Sequence, residues 1–258
     1  VTIVVRNEVE QKALESEGFK DVRIGGLPFA YIEQQHDLRS EDALLAFPPH
    51  SAERERLTSE QAKYFDYLES LKPDFEEVFV SVHYLDIGSP LQDAAMARGL
   101  KIIPGARPDD ANSLYRSRAT LDSFEHVTSN VMGSHVLYAL FADCKFSFGG
   151  PIYEYDALVL MGIDNPIGHT AEYLDMSLYY YSEMYLRKRF GHFFVGNPRE
   201  GLSDRQYAGQ AIGEDFKMAP REVEDALGWG RIGQVKGYCK GAWRRLRRSL
   251  RVPAGSRV

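Results

Sequence analysis

A doubly wound α/β fold is what this sequence predicts, and three observations point to it. Between residues 43 and 155, short apolar runs of strand length alternate with stretches whose apolar residues recur at helical spacing. Glycine or proline punctuates most of these segments, at Pro48-Pro49, Gly99, Pro104-Gly105, Gly133 and Gly149-Gly150. Small polar residues and histidines cluster just after the strands, where an open parallel sheet collects its ligands.

The chain opens on a smaller copy of the same pattern. Thr2–Val5 reads as a strand, Glu8–Glu17 as a helix stopped by Gly18, and Val22–Ile24 as a second strand, followed by the loop Gly25-Gly26-Leu27-Pro28-Phe29. One and a half α/β units cannot close a sheet, so residues 1–42 are expected to be the end of a truncated α/β domain, with Glu33–Asp42 as linker. Val1 in place of Met agrees with sequence lying upstream.

The alternation then runs without a break. Leu44–Phe47 is a buried strand ending in Pro48-Pro49-His50-Ser51, and Ser59–Leu71 is a helix carrying Ala62, Phe65, Leu68 and Leu71 on one face. Val78–His83, Lys101–Ile103, His126–Thr128 and Phe146–Phe148 are further strands. The helices Leu91–Arg98, Asn112–Ser123 and Ser134–Ala142 separate them. Strands joined through helices imply parallel pairing with right-handed crossovers, which makes residues 43–155 a Rossmann-like domain.

Beyond Tyr155 the sequence turns helical and aromatic, with Tyr173, Tyr179, Tyr180, Tyr181, Tyr185 and Phe190 read mainly as packing. Pro220–Leu227 is a short helix ended by Gly228-Trp229-Gly230, and residues 156–230 form a helical extension. The last segment, 231–258, is a different electrostatic object. No acidic residue follows Asp225, although the whole chain carries a net charge of −6. Ile232, Val235, Cys239, Trp243, Leu246 and Leu250 recur at helical spacing among Arg244, Arg245, Arg247, Arg248 and Arg251. This pattern suits a helix in an anionic membrane interface through 232–251, a terminal helix packed on its own domain, or a nucleic-acid contact. The acidic body disfavours nucleic acid.

A composition of 44% hydrophobic and 26% charged residues is that of a globular protein. The chain contains no apolar run of spanning length, and its two cysteines, Cys144 and Cys239, have no metal or disulfide spacing. P-loop, GxGxxG and GxSxG motifs are missing, which argues against P-loop NTPases, classical dinucleotide oxidoreductases and α/β-hydrolases.

The chemistry is expected at the strand ends. Thr128-Ser129-Asn130-Val131-Met132-Gly133-Ser134-His135 reads as a strand end, a turn of small residues and a helix start, where unpaired N–H groups and the helix dipole favour a phosphate. The plainer reading makes Gly133 a tight turn, Ser134 an N-cap and His135 a solvated residue. His50 and Ser51 follow the first strand, and His50 is either a donor or acid/base contact or a solvated loop histidine. His83 is either catalytic or a satisfied rim residue. Arg107 either forks onto a diphosphate or pairs with Asp109 or Asp110. Glu154, beyond Gly149-Gly150, either binds ribose hydroxyls or is a turn carboxylate.

These residues resemble the C-terminal, donor-binding domain of GT-B glycosyltransferases, particularly bacterial enzymes of capsule, lipopolysaccharide and sialic-acid-like polysaccharide assembly. The resemblance lies in Leu45–Ser51, in Thr128–Asn130 through Gly133–Leu140, and in Lys145–Pro151, and covers about residues 43–155. It implies a nucleotide-sugar donor with its phosphates at Gly133, Ser134, His135, Ser129 and Arg107, and His50, Ser51, His83 and Glu154 as further donor or acid/base contacts. It also implies that the loop after the following strand approaches the nucleotide sugar. The acceptor would be a cell-surface polysaccharide or lipid-linked glycan, and the setting cytoplasmic or peripheral on the inner face of the membrane. No metal or other cofactor is indicated. Two departures stand out. Val136–Phe141 contains no acidic residue of the kind common in retaining members, and the acceptor domain that usually supplies the general base is mostly absent. The alternatives are a nucleotide-sugar epimerase, which shares the layout, and a non-catalytic nucleotide-sugar-binding scaffold at the membrane.

Overall fold

The computed structural model describes residues 2–35, 37–49, 58–155 and 178–230. His50, Ser51 and the basic segment 232–251 lie outside the described residues. Two compact units divide the chain, one holding residues 2–31 with 210–230 and the other residues 32–209.

In the smaller unit, β1 (Ile3–Val5) pairs in parallel with β2 (Val22–Ile24), Ile3 opposite Val22, and α1 (Glu8–Ser16) connects them. Asn7 starts α1 by accepting the Glu10 N–H at 3.0 Å. Two glycines let distant backbones touch. The N–H of Leu27 donates to Ile212 O at 2.8 Å, and a Cβ on Gly26 would lie 2.5 Å from Gly213 O.

The larger unit is built on a five-stranded parallel sheet of β3 (Ser40–Phe47), β4 (Glu77–Val82), β5 (Lys101–Pro104), β6 (Phe124–Ser129) and β7 (Lys145–Phe148). Its spatial order is β5-β4-β3-β6-β7. The chain therefore winds outward from β3 in one direction, then returns to the other side of β3 and winds the opposite way. Helices α2 (Ser59–Ser70), α3 (Pro90–Ala97), α4 (Ser113–Asp122) and α5 (Ser134–Phe141) connect successive strands. This is the expected α/β architecture, with the strands and helices in the expected order.

The central strands are buried on both faces, which is why Ala43–Ala46 and Val127–Ser129 read as continuous runs rather than alternating ones. Leu44, Ala46, Val78, Val80 and Val82 pack with Phe65 and Leu68 of α2 and Leu91 of α3. β3 begins earlier than its apolar run, because Ser40 pairs with Phe124 before a register irregularity and Ser40–Asp42 stand in solvent. The free edge of β7 is covered by a reciprocal backbone pair between Phe146 and Leu202, at 2.9 and 3.0 Å. Further along lie α6 (Glu183–Phe190), α7 (Arg205–Ile212) and α8 (Pro220–Leu227). Leu186 and Phe190 of α6 are buried, and Phe190 packs on Phe148 and Tyr207, so part of the aromatic stripe is core. Among the described residues no helix is long and apolar enough to cross a membrane.

Candidate functional site

The winding direction reverses between β3 and β6, and in a parallel sheet such a reversal leaves a crevice beyond the carboxyl ends of the two strands. A cavity of about 450 Å3 opens there. Its walls include Phe47-Pro48-Pro49 at the end of β3, Ser81 and His83 at the end of β4, Pro104-Gly105-Ala106 at the end of β5, and Val131–His135 after β6. The size is that of a small-molecule site.

The β6–α5 turn forms the most polar side of this wall. Gly133 occupies the N-cap position and has no side chain to offer, so no side chain caps the N–H groups of Ser134 and His135. Both residues line the cavity. Ser134 is thus the first helical residue and not the cap. His135 is not a solvated side chain either. Its ring stacks on Phe47 with centroids 5.0 Å apart and planes 15° apart, and its Nε2 lies 2.9 Å from Ser129 Oγ. Burial pushes the imidazole pKa down to about 4. Gly133 makes room for this ring, since a Cβ there would stand 2.8 Å from both Cε1 and Nδ1.

Ser129 is fully buried and acts beneath the surface. Its hydroxyl oxygen lies 2.7 Å from Phe47 O and 3.0 Å from Val131 O and accepts the Val131 N–H at 3.2 Å, tying the ends of β3 and β6 to the turn. His83 also lines the cavity, and its Nδ1 accepts the Leu85 N–H at 3.4 Å, which orients the ring. Tyr138, Tyr155 and Tyr181 add aromatic surface to the lining, with the rings of Tyr155 and Tyr181 edge to face at 5.0 Å.

Other strand-end residues point to different work. Arg107 is exposed and not on the lining, although its neighbour Ala106 is, and its guanidinium forks onto Asp109 at 2.9 and 2.8 Å, which raises the arginine pKa and lowers that of the carboxylate. The cation on the lining is Arg116, from the first turn of α4, ion-paired with Asp110. Glu154 accepts the Glu183 N–H at 2.7 Å at the start of α6. Gly149 and Gly150 are not on the cavity wall either. A Cβ on Gly149 would overlap Tyr67 Oη at 2.2 Å, and Gly150, at φ +70°, would meet Tyr67 at 2.7 Å and Tyr64 at 3.0 Å. Two side chains of α2 occupy the space over that loop.

Arg116 and Tyr138 escaped the reading of strand ends because both sit on helices. Spacing was the available signal: Tyr138 is one turn beyond Ser134, and Arg116 lies with Ser117 and Thr120 on the polar face of α4.

No family model, curated protein or solved structure matches the chain.

Proposed function

We propose that the cavity binds a nucleotide sugar and that the chain is the donor-binding part of a glycosyltransferase building a cell-surface polysaccharide or lipid-linked glycan. One observation carries this reading: the uncapped first turn of α5, with Arg116 also on the wall, opens into the crevice where the sheet reverses direction. In this reading the amides of Ser134 and His135 donate to phosphate oxygens at the positive end of the helix, and Arg116, paired with Asp110, adds a cation. Tyr138, Tyr155 and Tyr181 supply flat apolar surface for a base or a sugar face. His83 is a further contact for the donor. In this reading the basic segment 232–251 holds the protein at an anionic inner membrane surface, close to a lipid-linked acceptor.

Calorimetry of the intact chain with UDP-glucose, GDP-mannose and CMP-sialic acid tests the reading. Binding of at least one of the three is expected, with competition by inorganic pyrophosphate. Transfer from the bound donor to a glycan would establish the transferase, conversion of the free donor would favour an epimerase, and binding without turnover would favour a scaffold.

A further inference from the structure

A second cavity, of about 620 Å3, lies at the amino ends of the strands, at the other end of the sheet from the crevice. Its wall carries four cations: Arg39 just before β3, Lys145 at the start of β7, Arg118 of α4 and Arg205 of α7. Glu125 of β6 and Asp143 after α5 are the carboxylates on it.

Arg118 is held for something beyond its ion pair. It is only 7% exposed, and its Nε donates to both oxygens of Asp122, at 2.9 and 3.0 Å. A guanidinium has five N–H donors, and this contact uses one. Nη1 and Nη2 make no hydrogen bond among the described residues. Asp122, fully buried, has other partners: it accepts the Gln35 N–H at 2.7 Å and lies 3.6 Å from Arg39. Arg39 also donates to Ala142 O and Asp143 O, and Lys145 pairs with Glu125. The Phe141 ring lies 5.7 Å from Arg118 Cζ and steadies the guanidinium. A charged group buried with donors unmade costs stability, and an acceptor in the cavity relieves that cost.

The charge around Arg118 selects the acceptor. Four cations face three carboxylates, Asp122 included, which leaves one positive charge. The carboxyl ends of α4 and α5 also lie at this end of the sheet, and their carbonyl dipoles oppose dense negative charge. One unbalanced charge and a two-nitrogen fork suit a carboxylate better than a phosphate dianion. Gln34 and Ser203 add an amide and a hydroxyl to the wall, which suit a hydroxylated ligand.

We propose that this cavity binds a small hydroxylated carboxylic acid through the Nη fork of Arg118. The assignment holds whether or not the crevice at the other end of the sheet takes a nucleotide sugar.

Calorimetry of the intact chain with glucuronate, glucose and glucose 6-phosphate tests it, because the three differ only at the exocyclic carbon. Glucuronate should bind saturably, glucose 6-phosphate more weakly and glucose not at all. Arg118→Lys keeps a cation beside Asp122 but removes the fork, and should weaken glucuronate about ten- to hundredfold. Ser203 is exposed, so Ser203→Glu leaves the buried pair intact and keeps the test open should Arg118→Lys fail to fold. Its added carboxylate on the wall should weaken glucuronate about tenfold. A wild-type chain that does not bind glucuronate, or binds glucose equally well, overturns the proposal. Tighter binding of glucose 6-phosphate overturns the carboxylate assignment. Undiminished glucuronate binding by either folded variant places the acid elsewhere and overturns the site.

Discussion

Two glycine-bearing turns at neighbouring strand ends, Val131–Gly133 after β6 and Gly149-Gly150 after β7, look alike in sequence and are filled from different parts of the chain. In the first, the missing side chain makes room for the His135 ring and leaves the start of α5 uncapped beside a cavity. In the second, the space is filled from within by Tyr67 and Tyr64, and Gly150 takes a left-handed conformation, φ +70°, that side chains resist. A strand-end glycine says that something approaches the backbone closely. In both turns it is a side chain, from two residues on at Gly133 and from a helix roughly eighty residues away at Gly149-Gly150.

The sharpest way to break this comparison is to add a methyl group to each turn. Gly150→Ala should destabilise the fold by about 2–4 kcal/mol, through the left-handed backbone and the overlap with two rings, read as a shift in the urea midpoint. Its effect on ligand affinity in the folded fraction should be small. Acid comes next. The folded His135 pKa of about 4 lies below its ordinary 6.5, so the unfolded chain takes up a proton that the folded chain refuses. Stability should therefore fall as pH drops from about 6.5 toward 4, by up to about 3 kcal/mol from this residue, and His135→Gln should flatten that part of the urea-stability profile. Gly133→Ala is the mirror of Gly150→Ala. Its φ of −170° suits any residue, so the cost to folding should stay below that of Gly150→Ala, while the displaced imidazole should disturb the turn and lower nucleotide-sugar affinity about tenfold by calorimetry. Arg107→Ala should have the smallest effect, leaving affinity and melting temperature unchanged, because an exposed pair with Asp109 contributes little.

The larger sheet was legible in the sequence because its strands are apolar runs closed by glycine or proline and its helices carry one apolar face. Features that depend on distant partners were not. Ser40–Asp42 extend β3 although they are polar, because the pairing of Ser40 with Phe124 and not burial makes them strand. The union of residues 2–31 with 210–230 rests on backbone bonds such as Leu27 to Ile212, for which no local pattern exists. In the site, Gly133, Ser134, His135 and His83 were visible as strand-end or turn residues. Arg107 and Arg116 were not separable, because each follows β5 with an aspartate close by, and only the turn into α4 sends Arg116 to the cavity and Arg107 to the surface.

Calorimetric titration of the wild type and Gly133→Ala side by side, with UDP-glucose, GDP-mannose and CMP-sialic acid, tests the β6–α5 turn as a donor site most directly. The account predicts that the wild type binds at least one of the three and that Gly133→Ala, still folded, binds it about tenfold more weakly. Absence of binding to all three, or equal affinity in the two proteins, would contradict it.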